Sequence, residues 1–161
     1  VVSPEELSRL WNLHAGRLLL IARVVGEPAE DAVQEAFVRL AQQPGLPRDP
    51  LAWLVQVARN QLLQWHRTGK RRQRRDEDAG FARGWFTIEN NDSSLDQIEM
   101  LTALQKLADP QRQIVVMRIW GEMSFAQIGE AMSMSSATAY RRYAEAIEVL
   151  RDSFDCSYKR S

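Results

Sequence analysis

The chain has 161 residues, 45% of them hydrophobic and 26% charged, and its 21 basic residues balance its 21 acidic ones. Such a composition belongs to an ordered globular chain and leaves room for one ordinary domain or two small ones. The single cysteine, Cys156, excludes an internal disulfide, and the longest apolar run, Leu18 to Ala22, is too short to cross a membrane. The chain opens on a polar Ser3-Pro4-Glu5-Glu6, so no secretion signal is expected. A reducing, cytoplasmic setting is therefore expected.

Nearly every segment carries a helical period, and none alternates as a strand would. Ser3 is placed to cap a first helix, with Pro4 at its first position and Glu6 closing a capping box; Gly26 ends it after Val25. A second helix begins after Pro28 and runs to about Gln42. The loop "QQPGLPRDP" holds three prolines and a glycine. Asp49 then caps a third helix with Pro50 at its first position, expected to continue through the basic block that ends at Arg75. Residues 76–94 are acidic and aperiodic and read as a linker. Ser94 with Gln97 opens a fourth helix to Leu107, Asp109-Pro110 a fifth to near Gly121, Ser124 with Gln127 a short sixth, and Ser135 a last one to about Phe154. The expected fold is all-α, with two small helical domains: three helices over 1–75, an acidic linker over 76–94, and four helices over 95–161.

Zero net charge hides a sharp dipole. Arg67, Lys70, Arg71, Arg72, Arg74 and Arg75 form a basic run with no acid; from Asp76 to Glu99 seven acids face only Arg83. Local charge therefore says more about partners than the total does.

Two constellations carry chemistry. In "SFAQIGEAMSMSSATAYRRYAEAIEVL", Phe125, Ile128 and Met132 share one face of a short helix, and Ala139, Tyr143, Ala146, Ile147 and Leu150 share one face of the next. Thr138, Arg141 and Glu145 then point outward, flanked by Tyr140 and Arg142, with Ser136 in the first turn. A short helix supporting a second one with a polar, cationic outer face is helix-turn-helix geometry; a plain helical hairpin would share the pattern. Ser133 stands where the turn usually has glycine.

The second constellation is the third helix, with Leu51, Leu54, Val55, Ala58, Leu62 and Trp65 on an apolar stripe. Its other face carries Trp53, Gln56, Asn60, Leu63, Gln64 and Arg67, followed by Lys70, Arg71 and Arg72. Rings can stack bases at about 1–3 kcal/mol each while amides read edges. Neutralising about six phosphates gives a log–log salt slope near −5. Cations at a helix C-terminus are also favoured by the helix dipole alone, so a solvated end explains the charge equally. His14 and His66 lack partners at metal-ligand spacing, Cys156 lacks a base, and no phosphate-binding glycine loop is present. No enzyme activity, metal or cofactor is expected.

Three stretches in this order resemble the extracytoplasmic-function group of bacterial RNA polymerase sigma factors: "PAEDAVQEAFVRL" (28–40), "DPLAWLVQVARNQLLQWHR" (49–67) and "LQKLADPQRQIVVMRIWGEMSFAQIGEAMSMSSATAYRRYAEAIEVLR" (104–151). The resemblance implies an alternative sigma factor that directs core polymerase to specific promoters and aids DNA opening. It implies that the outer face of the second helix (Asp31, Gln34, Glu35 and Val38) docks on the clamp helices of the polymerase largest subunit. It implies that the loop 42–50 receives a flipped base. Trp53, Gln56, Asn60, Gln64, Arg67, Lys70, Arg71 and Arg72 would bind the melted minus-ten strand. Ser136, Thr138, Tyr140, Arg141, Arg142 and Glu145 would read the minus-thirty-five duplex. The acidic linker, with Trp85 and Phe86, would thread the polymerase's RNA exit path. An anti-sigma factor is a further implied partner, and the free protein would be a monomer. Gln64 stands where the family commonly has Asp, and Tyr140 and Glu145 stand where bases are frequent. The rival expectation is a stand-alone helix-turn-helix regulator that binds duplex DNA as a dimer without core polymerase.

Overall fold

The computed structural model describes residues 1–69 and 95–158. The described residues form helices α1 (Pro4–Val25), α2 (Ala29–Ala41), α3 (Pro50–Arg67), α4 (Leu95–Gln105), α5 (Asp109–Ile119), α6 (Phe125–Met132) and α7 (Ser136–Tyr158), with no strand among them. The all-α architecture read from the sequence is the one observed.

The helix starts are where the capping chemistry puts them. Ser3 Oγ accepts from the Glu6 N–H at 3.2 Å while Glu6 Oε2 accepts from the Ser3 N–H at 3.0 Å, the reciprocal bonds of a capping box. Ser124 and Gln127 repeat it at α6. Asp49 Oδ1 accepts from the Ala52 N–H at 3.1 Å to open α3. At the other end of α4, Arg112 donates to the carbonyls of Leu104, Gln105 and Leu107 at 2.9–3.0 Å, tying the turn that follows α4 to α5.

The third helix is shorter than expected. It ends at Arg67, the first residue of the basic block, and not at Arg75: the Thr68 hydroxyl donates to the Gln64 and Trp65 carbonyls, and Gly69 turns away at φ 130°. Arginine-rich sequence has good helix propensity, but a Thr-Gly pair that satisfies the last carbonyls stops propagation first. α7 runs the other way, past Phe154 to Tyr158.

Helices α1, α2 and α3 pack on one another through wide apolar stripes. The C-terminal four do not form a separate core. α5 lies on α1 and α6 lies on α3, so Leu101, Ile114, Val116, Met117, Met123, Ile128, Ala131, Met132 and Ala139 join the same buried cluster as the N-terminal helices. A second, smaller cluster gathers Ala103, Leu104, Leu107, Val115, Ala146 and Leu150. α5 is therefore covered on both sides, and every residue from Gln113 to Met117 is buried. The polar member of that run, Gln113, is satisfied across the seam: its Oε1 accepts from Arg59 Nε at 2.8 Å. Burial pulls the Arg59 guanidinium below its ordinary value. At the rim, Arg17 donates to the Gly121 carbonyl and to Glu122, both at 3.4 Å.

Candidate nucleic-acid interface

Three exposed faces coincide with the residues singled out in the sequence, one each on α2, α3 and α7.

On α2, Ala32, Val33, Ala36, Phe37 and Leu40 are buried, which turns Asp31, Gln34 and Val38 to solvent and leaves Glu35 half-buried. Arg39 organises this surface. Its Nε donates to Glu35 Oε1 at 2.9 Å, and its Nη2 donates to the buried Gln61 Oε1 of α3 at 2.6 Å. A charge-assisted bond to a buried amide fixes the guanidinium, which in turn fixes Glu35. Trp11 of α1 is partly exposed and packs on the inward side of α2, its ring 4.8 Å from that of the buried Phe37. Neither Gln61 nor Trp11 stood out in the sequence, because the apolar pattern on α3 hides an inward amide and a tryptophan on an apolar helix reads as core.

On α3, Asn60, Gln64 and Arg67 are exposed and Gln56 is half-buried, so the amide-rich strip is open to a ligand. Trp53 is half-buried and packs against the main core, which makes it a support for this strip as well as part of its edge. Lys70, Arg71 and Arg72, with the acidic stretch and its Trp85 and Phe86, lie outside the described residues. The proline-rich loop is tied at two places: the Val1 nitrogen donates to the Pro44 carbonyl at 2.9 Å, and Asp49 caps α3. His14 sits at this end with its Nδ1 buried and unpartnered. Burial, and then Arg17, hold its pKa below the ordinary 6.5, against the pull of Asp49.

On α7, Ser136, Tyr140, Arg141, Arg142 and Glu145 are exposed and Thr138 is half-buried. Ser135 caps the helix: its Oγ accepts from the Thr138 N–H at 3.1 Å and its hydroxyl donates to Thr138 Oγ1 at 2.8 Å. The elbow between α6 and α7 shows why the missing turn glycine is tolerated. Ser133 itself adopts the left-handed conformation, φ 57° and ψ 46°, and Met134 N–H closes the turn on the Gly129 carbonyl at 2.9 Å. The indispensable glycine is Gly129, where an added Cβ would lie 2.5 Å from the Met134 carbonyl oxygen. A short helix thus supports a longer one whose first two turns are exposed and cationic, a geometry suited to the major groove. No group of three or more His, Cys, Asp or Glu residues that could hold a metal ion occurs among the described residues.

Known proteins share this arrangement. Residues 11–72 match the family described as Sigma-70 region 2, and residues 97–150 match Sigma-70, region 4. The chain is 29% identical to the ECF RNA polymerase sigma factor SigL of Mycobacterium tuberculosis, over 88% of this chain and 85% of that protein. It is 28% identical to the RNA polymerase sigma-E factor of Streptomyces avermitilis, over 83% of this chain and 75% of that one. Among solved structures, the sigma factor RpoE of Bartonella quintana, crystallised with the anti-sigma factor NepR, superposes with a TM-score of 0.69 over 94% of this chain and 98% of its own, at 21% identity. That likeness extends to the fold.

Proposed function

The chain belongs to the extracytoplasmic-function group of the RNA polymerase sigma-70 family, and from that membership we propose how its three exposed faces divide the work. As an alternative sigma factor it directs core RNA polymerase to specific promoters. The region-2 match holds α2 and α3, and the region-4 match holds α5, α6 and most of α7.

Asp31, Gln34, Glu35 and Val38 dock on the clamp helices of the largest polymerase subunit. The Arg39 bridge supports this reading, since it holds Glu35 in one place before any partner arrives, and a pre-set side chain loses less entropy on binding. Gln56, Asn60, Gln64 and Arg67, continued by Lys70, Arg71 and Arg72 and edged by Trp53, bind the non-template strand of the minus-ten element as the duplex opens. Ser136, Thr138, Tyr140, Arg141, Arg142 and Glu145 meet the minus-thirty-five duplex. The functional division is 1–75 for core binding and melting, 76–94 as the acidic connector, and 95–161 for the upstream element. The protein acts by binding and carries no catalytic step of its own. Its place of action is the cytoplasm, where the polymerase works; among the described residues no helix is long and apolar enough to span a membrane. An anti-sigma factor is a proposed regulatory partner, in keeping with the complex in which the Bartonella quintana relative was solved.

The observation that carries this assignment is the exposure of all three faces on helices otherwise committed to the core. Gel filtration with bacterial core polymerase tests it. A stoichiometric complex that Asp31→Ala plus Glu35→Arg weakens at least tenfold is the expected result. A dimer that binds duplex tightly and ignores core would replace it with a stand-alone regulator. In the complex, Asn60→Ala plus Arg67→Ala should abolish capture of a single-stranded minus-ten oligonucleotide while leaving co-elution intact.

A further inference from the structure

Tyr140 is the most exposed aromatic side chain among those described, with 59% of its surface open, and it stands on the flank of the outward face of α7, between that face and the core. An exposed tyrosine normally samples several rotamers, and this one is seated. Its ring lies 5.3 Å from that of Phe125 at 86°, an edge-to-face contact. Phe125 is itself held from two other sides, by Tyr143 at 5.4 Å and by the Arg118 guanidinium 4.5 Å above its ring. Arg118 is in turn anchored through its Nη1 to the Met123 carbonyl at 2.9 Å. A chain of contacts from α5 through the start of α6 thus presents one uncharged ring on the second turn of α7.

The position determines what such a ring can read. Tyr140 shares a helix face with Ser136, four residues earlier, and the N-terminal turns of a recognition helix are those that reach base edges. Arg141 and Arg142, which follow it in sequence and are exposed further round the helix, supply charge for phosphates. A lysine or arginine at Tyr140 would favour the acceptors of guanine; an apolar ring has one distinctive target in the major groove, the 5-methyl group of thymine.

We propose that Tyr140 is a specificity-determining residue that selects a thymine within the minus-thirty-five element through its methyl group. The proposal rests on the reading of α7 as the reader of that element, and its test separates the two. The holoenzyme, made from this chain and core polymerase, selects from duplexes randomised across the upstream element. The winning sequence is then remade with deoxyuridine replacing one thymine at a time.

At one position the lost methyl should weaken wild-type binding about fourfold, the equivalent of burying one methylene-sized group. Tyr140→Phe should keep that discrimination and Tyr140→Ala should lose it, with circular dichroism confirming that both variants fold. Discrimination that is absent in the wild type, or that survives in Tyr140→Ala, overturns the proposal. So does an equal loss of affinity for both duplexes in Tyr140→Phe, which would assign the contact to the hydroxyl and a phosphate. A holoenzyme that selects no upstream sequence at all would instead overturn the assignment of α7, and the proposal with it.

Discussion

The two halves of this molecule reach a buried core by different routes. In the N-terminal half α1, α2 and α3 pack on one another through one apolar stripe each, and α1 and α3 also receive α5 and α6. In the C-terminal half α5 is flanked by α1 on one side and α7 on the other, and it buries Ile114, Val116 and Met117 in the main cluster but Val115 in the smaller one. The first half is a unit that others lean on; the second is completed by its neighbour. A short helix covered on both sides couples the stability of the two halves.

The sharpest way to break this comparison is to cut consecutive residues of α5. Ile114→Ala removes a fully buried side chain from the shared cluster and should cost about 2–5 kcal/mol. Val115→Ala, one residue on, should cost about half that. Hydrogen exchange distinguishes them: amides of α1 and α3 should lose protection in Ile114→Ala and keep it in Val115→Ala. Equal effects on both halves would mean that the shared cluster is not the coupling element.

A second pair of substitutions concerns the elbow of the C-terminal half alone. Gly129→Ala should cost about 1–3 kcal/mol in urea unfolding, because the new methyl meets the Met134 carbonyl. Ser133→Gly should instead stabilise by about 0.5–1 kcal/mol, since glycine occupies the left-handed region without the steric cost that serine bears there. If Ser133→Gly destabilised the protein, strain at this turn would be offset by a side-chain interaction of Ser133.

The smallest effect belongs to the N-terminal half. The folded state holds the His14 pKa below its ordinary 6.5, so the unfolded chain takes up the proton first. Its contribution is fully present above 6.5 and is lost as pH falls from there through the folded pKa. Stability should therefore decline on that account as pH falls below 6.5, and His14→Gln should flatten this part of the profile in pH-dependent urea unfolding.

How much of this was legible beforehand depended on whether the signal was local. The helix starts at Ser3, Asp49 and Ser124 were readable because a capping bond is made within three residues. The exposed faces of α2 and α7 were readable because a stripe of apolar residues at helical spacing leaves only one face for solvent. The end of α3 was misjudged: a run of arginines outweighed Thr68-Gly69, although the turn chemistry was written in those two residues. Ser133 stands where the turn usually has glycine, and the steric requirement for glycine lies instead at Gly129, which no spacing rule identifies.

By itself, then, the sequence determined an all-α chain, the caps at Ser3, Asp49 and Ser124, and which faces of α2, α3 and α7 stay exposed, because each depends on interactions within one or two turns. Only the tertiary structure decided that α5 is buried on both faces, that Arg59 meets Gln113, that Arg39 bridges Glu35 to Gln61, and that Phe125 seats Tyr140. Those are contacts between helices. Their partners lie far apart along the chain or on different elements, so no local periodicity encodes them, and they exist only once packing has brought the helices together.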